Sequence, residues 1–207
     1  MDDRSTRASG FDGLAGRMAA LVMAHANRDM EMAAITELNG GRDHGCILSI
    51  GFGPGVGIAE LARRRPDDMV AGIDPSPTMI EVASRRNRAA IETGRVVLRQ
   101  AGAEAIPWPG DSFDAVVAVN SIQLWSPLTA AIAEVARVVR PGGMLVTLTH
   151  AWAVEKRTSL DEWVESASRL LTEHGFAIVT SGTEGFRSGR ALTLHARYRS
   201  ADDAVVA

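Results

Sequence analysis

Residues 47–61 read ILSIGFGPGVGIAEL, and residues 70–77 read VAGIDPSP. In the first stretch an apolar strand runs into a glycine turn (Gly51, Gly53, Gly55) and then a helix. In the second, an apolar strand ends in an acid, Asp74. In α/β proteins this pairing places a ligand carrying adenosine over the carboxyl ends of the strands. Glycines let the backbone come close to the ligand, and a helix start offers free N–H groups to a carboxylate or phosphate. The acid at the end of the second strand is then placed to take ribose hydroxyls.

The spacing argues against a dinucleotide. A GxGxxG fingerprint beginning at Gly51 needs a third glycine at position 56, which is Val56, and the pattern present is GxGxGxG ending at Gly57. A pyrophosphate turn without its third glycine lacks the close helix–strand packing that the fingerprint supplies.

Working outward, strands are expected at 46–50, 69–73, 95–100, 114–119 and 144–149. Helices are expected at 56–65, from the Ser76 cap and Pro77 to about Ala90, at 128–139 and at 159–173. Arg140-Pro141-Gly142-Gly143 forbids the third of these helices, 128–139, from continuing. Two further strands, FAIVT and ALTLHARYR, are separated only by SGTEGFRSG. That connection is too short for a crossover helix, so the two must be antiparallel neighbours. The expected architecture is α/β: a Rossmann-like, doubly wound, seven-stranded sheet, mostly parallel, with an antiparallel C-terminal hairpin and helices on both faces. A dehydrogenase half would instead continue with another βα unit. Residues 1–10 are expected to be disordered, 11–39 to form N-terminal lid helices, and 40–200 to form the ligand-binding domain, all within one domain overall.

Composition is that of an ordinary globular chain: 207 residues, 46% hydrophobic and 23% charged. A net charge of −3, from 22 basic and 25 acidic side chains, gives no electrostatic reason to expect a nucleic acid. Cys46 is the sole cysteine, so an internal disulfide and a cysteine metal site are excluded. It opens an expected buried strand, which suits a small core residue. No apolar run reaches the ~20 residues of a membrane span. The polar start, MDDRSTRASGFDG, is unlike a signal peptide, so a cytoplasmic protein is expected. Lys156 is the only lysine amid abundant arginine, which suggests a high-GC bacterial source.

Four segments in register carry a family resemblance: ILSIGFGPG, VAGIDPSPTMIEVA, AGAEAIPWPGDSFDAVVAVNSIQLW and LTAAIAEVARVVRPGGMLVTLTH. From about residue 40 to 199 the chain resembles the class I S-adenosylmethionine (SAM)-dependent methyltransferases. The likeness is to the small-molecule type that includes the ubiquinone and menaquinone C-methylating enzymes. The resemblance implies SAM as cofactor, with Gly51, Gly53 and Gly55 bordering its methionine half. It implies Asp74 on the ribose diol, with Pro75 beside it, and Met79 against the adenine. Ala103 would meet the adenine edge through its N–H, with Glu104 next to it, and Asn120 and Ser121 would flank the sulfonium and amino group. Two positions depart from the family pattern. Ser49 stands where an acid often braces the glycine loop, and Gly102 where an aspartate often bonds the adenine amino group.

Transfer of a methyl from a sulfonium needs alignment and, for some acceptors, removal of a proton. No cluster of residues has metal-ligand spacing, so no metal is expected. His150, at the end of the fifth strand, is the first candidate base, since imidazole titrates near neutrality. A histidine capping the strand end is the competing reading. His25, on the expected lid, is the second candidate base. Arg17 on the first helix could reach the SAM carboxylate or an anionic acceptor. Trp125 and Trp152 follow strands four and five, at a rim suited to a flat apolar acceptor. These residues lead to the expectation of a SAM-dependent enzyme acting on a small molecule. The acceptor expected is an aromatic or heteroaromatic specialised metabolite, with an indole as one case. A quinone-pathway C-methyltransferase and a non-catalytic SAM- or nucleotide-binding regulator are the alternatives. The expected partner is the small-molecule acceptor alone, without nucleic acid or membrane, on a monomer or homodimer.

Overall fold

The computed structural model of the chain describes residues 27–38 and 45–200. Seven strands form one sheet: β1 (Cys46–Ile50), β2 (Met69–Asp74), β3 (Val96–Gln100), β4 (Phe113–Val119), β5 (Val139–His150), β6 (Phe176–Phe186) and β7 (Gly189–Tyr198). Their order across the sheet is β3-β2-β1-β4-β5-β7-β6. Strands β1 to β5 pair in parallel, and β7 runs antiparallel to both β5 and β6. The helices are α1 (Arg28–Leu38), α2 (Val56–Arg64), α3 (Pro77–Arg86), α4 (Arg88–Glu92), α5 (Leu128–Val138), α6 (Ala151–Glu155) and α7 (Leu160–Glu173). None among the described residues is long and apolar enough to cross a membrane.

Side chains alternate across a strand with period two, so a strand buried on both faces must be apolar throughout. Ile47, Val70, Ala115, Val117 and Val146 point to one face, where α1, α2 and α3 supply Met30, Ile35, Ile58, Leu61 and Ala83. Leu48, Ala71, Val116 and Leu145 point to the other, under Ile132 and Val135 of α5 and Leu171 of α7. Deleting a buried aliphatic side chain from this kind of core, as in Ile47→Ala, costs about 2–5 kcal/mol.

After β1 the chain winds out to β2 and β3, then returns to place β4 on the other side of β1. Ligands bind in the crevice opened by such a reversal, above the carboxyl ends of the strands. Here that crevice lies between the segments beginning at Gly51 and at Asn120.

Four elements differ from the sequence expectation, the first being β5, which begins at Val139 and not at 144, so that the 140–143 segment is part of the strand. The helix expected to reach Ala90 breaks at Asn87, whose side-chain amide donates to Gly55 O (3.1 Å) and Ala83 O (2.9 Å). The connection SGTEGFRSG is mostly strand: β6 and β7 pair to Phe186↔Gly189, leaving only Arg187 and Ser188 to turn. Gly189, at φ 119°, provides the left-handed backbone that this turn uses. Residues 151–155, between the expected fifth strand and the helix at 159–173, form the short helix α6.

Candidate active site

The glycine turn is held from three directions. Gly51 N–H donates to Ile73 O (2.8 Å), which ties the end of β1 to β2. Asp74 accepts the Gly53 N–H through Oδ2 and the Ser76 N–H through Oδ1, each at 2.9 Å. Ser121 Oγ donates to Ile50 O (2.7 Å), which ties the start of the turn to the segment after β4. On the outer side, Arg86 Nε donates to Pro54 O (2.9 Å) and Asn87 to Gly55 O. Gly51 is the tightest position: its φ is 69°, and a Cβ there would overlap the Ser121 Cβ.

Asp74 is 6% exposed, and burial pushes its carboxyl above the usual range, while the two N–H groups pull it down. The brace that an acid at position 49 would give is therefore supplied by Asp74 and Ser121. A Cβ on Gly102 would meet the carboxylate end of the exposed Glu104 side chain. Of the neighbours, Pro75 is exposed, Ala103 is buried, and Met79 is only 2% exposed, within the core under α3.

Asn120 adopts a left-handed backbone, φ 52°, which asparagine tolerates better than most residues. Its Oδ1 accepts the His150 N–H (2.8 Å), and its amide contacts Met30 Sδ (3.5 Å). The side chain therefore fixes the ends of β4, β5 and α1 relative to one another. His150 is 7% exposed, and its ring lies against Trp152 with centroids 5.7 Å apart and planes at 26°. Nε2 lies 3.3 Å from Asn27 Oδ1, while Nδ1 is buried without a partner among the described residues. When Nε2–H donates to Asn27, Nδ1 keeps its lone pair. Burial lowers the His150 pKa, with Asp29 acting the other way, so the ring is neutral at physiological pH.

The rim residues separate. Trp152 is 52% exposed, with Lys156 Nζ 4.5 Å from its ring centroid. Trp125 is partly buried against the core, and its indole N–H is buried without a partner among the described residues. His25 and Arg17 lie outside the described residues, as do residues 1–26, 39–44 and 201–207. Arg86, Asn87 and Glu31 were not singled out in sequence. Arg86 and Asn87 close the far end of α3, where a buried asparagine in Arg-Arg-Asn-Arg was the only hint. No group of His, Cys, Asp and Glu among the described residues is arranged to hold a metal ion.

These residues fit SAM as cofactor. The glycine cradle admits no Cβ at Gly51, Asp74 stands braced by two N–H groups, and two further acids, Glu104 and Glu31, lie across Gly102 and across Gly57 at the start of α2. Comparison with known proteins agrees. Residues 47–143 match the family model described as a methyltransferase domain. An uncharacterized methyltransferase of Bacillus subtilis, YdaC, is 32% identical over 126 residues, covering 61% of this chain and 67% of that one. A ubiquinone/menaquinone biosynthesis C-methyltransferase of Geotalea daltonii is 33% identical over 106 residues, 51% of this chain and 45% of that protein. The chain thus spans two thirds of the first relative and under half of the second. A crystal structure described as a putative S-adenosyl-L-methionine-dependent methyltransferase from Methanococcus maripaludis superposes with a TM-score of 0.69 at 20% identity, over 92% of this chain and 94% of that one, which supports the fold. Cradle, strand order and relatives coincide on the same residues, and the chain belongs to the class I SAM-dependent methyltransferases, a family of enzymes.

Proposed function

We propose that this enzyme methylates a small aromatic or heteroaromatic acceptor, a specialised metabolite such as an indole, with His150 as the base. When bound, SAM supplies a methyl group already activated on a sulfonium. What the chain must add is alignment and a place for the acceptor's proton. The observation that carries this reading is the neutral His150 ring, with Nδ1 unpartnered, lying beneath the exposed face of Trp152 at the end of β5. Trp152 offers a flat acceptor a stacking surface. Nδ1, whose lone pair lies in the ring plane, is the nitrogen left to take the acceptor's proton.

In the same reading Gly51, Gly53 and Gly55 border the methionine end of the cofactor, and Asp74 takes the ribose diol on lone pairs not used by Gly53 and Ser76. Pro75 and Met79 flank the adenine, Ala103 offers its N–H to the adenine edge, and Glu104 accepts from the adenine amino group in place of a side chain at 102. Ser121 and Asn120 set the wall beside the sulfonium. Arg17 is assigned to the SAM carboxylate or an anionic acceptor, His25 is the second candidate base, and Trp125 stands with Trp152 on the acceptor side.

A quinone-pathway C-methylation is the second reading, favoured by the likeness to the Geotalea daltonii enzyme. One experiment addresses both. The purified protein is incubated with methyl-labelled SAM and a panel of indoles, phenols and ring-demethylated quinones, alongside His150→Gln. Label on an indole or phenol, lost in His150→Gln, supports the first reading. Label on quinones alone replaces it with the second, and transfer undiminished in His150→Gln removes the base assignment.

A further inference from the structure

Helix α1 turns one acid towards the interior on an otherwise apolar face. Asn27, Met30 and Glu31 stand at i, i+3 and i+4 and so share a side of the helix, which continues through Ala34, Ile35 and Leu38, all buried. Two contacts locate that side. Asn27 Oδ1 lies 3.3 Å from His150 Nε2, and Met30 Sδ lies 3.5 Å from the Asn120 amide. The start of α1 therefore lies over the carboxyl ends of β4 and β5. The adjacent member of the face, Glu31, extends its carboxylate across Gly57 in the first turn of α2, where any Cβ would overlap it. This accounts for the last glycine of the GxGxGxG run, whose backbone needs no left-handed conformation.

Withdrawing a carboxylate from water is costly unless a cation or several hydrogen bonds compensate it. Among the described residues Glu31 has neither, and burial alone pushes its carboxyl up to about 8. The nearest basic groups on α2 are committed elsewhere: Arg63 and Arg64 both pair with Glu60. When ionised, an acid here also repels the pyrophosphate that a dinucleotide fold would hold at the helix start.

We infer that Glu31 receives the α-ammonium group at the methionine end of the cofactor and selects ligands that carry an amino-acid head over nucleotides that lack one. This rests on the SAM reading of the site. Glu31 is a specificity residue here: it contacts the cofactor's head and takes no part in moving the methyl group.

The test is calorimetric, on wild type and Glu31→Gln, with S-adenosylhomocysteine and with 5′-methylthioadenosine, which keeps the adenosine and lacks the amino-acid head. Glu31→Gln is expected to weaken S-adenosylhomocysteine about 10- to 100-fold, the range for losing a charged hydrogen bond. It should leave methylthioadenosine within about twofold, the scatter expected for an untouched contact. Equal affinity of the two proteins for S-adenosylhomocysteine overturns the inference, as does equal loss of both ligands. Wild type alone gives a second route. The S-adenosylhomocysteine analogue without its α-amino group should bind it as weakly as Glu31→Gln binds the parent, and undiminished affinity overturns the inference without any variant. Wild type that binds neither adenosine ligand overturns the cofactor reading itself, and this inference with it.

Discussion

Asp74 Oδ2 accepts the Gly53 N–H at 2.9 Å, so the acid that ends β2 holds the middle of the glycine turn that follows β1. One carboxylate thereby shapes the turn and remains in position for a ribose. Asp74→Ala leaves the Gly53 and Ser76 N–H groups without their acceptor, a loss of about 1–3 kcal/mol for each buried group left unsatisfied. The expected outcome is a lower melting temperature, read by circular dichroism, together with loss of S-adenosylhomocysteine binding. Unchanged melting would mean that the turn is held without Asp74.

Gly51 and Gly94 both have positive φ, 69° and 74°, but a Cβ at Gly51 meets Ser121 whereas one at Gly94 meets nothing within 4 Å. Gly94→Ala should therefore cost only the backbone term, about 1 kcal/mol. Gly51→Ala adds a steric overlap at the crevice and should cost about 2–4 kcal/mol in all, since overpacking adds its own 1–3. Chemical denaturation of the two variants side by side measures the difference, and equal costs would contradict the close approach of Ser121.

The turn, Asp74 and the hairpin were legible in sequence because each depends on neighbours along the chain: a glycine run, an acid at a strand end, a short connection between strands. The rest depends on distant partners. Asn87 ends α3 because it reaches back to Gly55 O, and Gly57 is a glycine because Glu31 crosses it. Periodicity alone reads 77–90 as one helix and Glu31 as an acid on a solvated face. Strand β6 outruns expectation because Ser181 to Gly185 are polar and exposed, and only pairing with β7 makes them a strand. Met79 is 2% exposed and Trp125 is partly buried against the core, burial that position along the chain does not show.

Glu31 makes the ligand-free protein pH-sensitive. Its carboxyl titrates at about 8 in the fold against 4.5 ordinarily, so the folded state holds a proton that the unfolded state has released over that interval. The stability this confers is complete below pH 4.5 and is lost as pH rises to 8. His150, lowered by burial, is already neutral above its ordinary pKa, and Asp29 is the other ionisable group near that face. Between pH 6 and 8.5 the loss should be about 1–2 kcal/mol, allowing for partial exposure. That corresponds to a fall of several degrees in melting temperature for a chain of this size. Glu31→Gln should flatten the slope, and S-adenosylhomocysteine should bind wild type more tightly as pH rises over the same range. A slope that survives in Glu31→Gln would assign it to another group.

His150→Gln should leave cofactor affinity within about twofold, because His150 is tied to Asn120 through its backbone N–H and not its ring. Turnover of an acceptor that must lose a proton should fall about 10²- to 10⁴-fold, the usual contribution of a general base. Steady-state kinetics over pH 6–9 would show the wild-type rate rising through a pKa below the ordinary histidine value and no such rise in the variant. A rate profile shared by both proteins would leave His150 as a strand-end residue only.

The claim on which the rest depends is that the Gly51–Gly57 turn and Asp74 hold SAM. Calorimetric titration of S-adenosylhomocysteine, and separately of NADH, into wild type and Asp74→Ala tests it most directly. The account predicts micromolar binding of S-adenosylhomocysteine to wild type, its loss in Asp74→Ala, and no heat from NADH. Binding of NADH without S-adenosylhomocysteine, or S-adenosylhomocysteine affinity unchanged in Asp74→Ala, would contradict it.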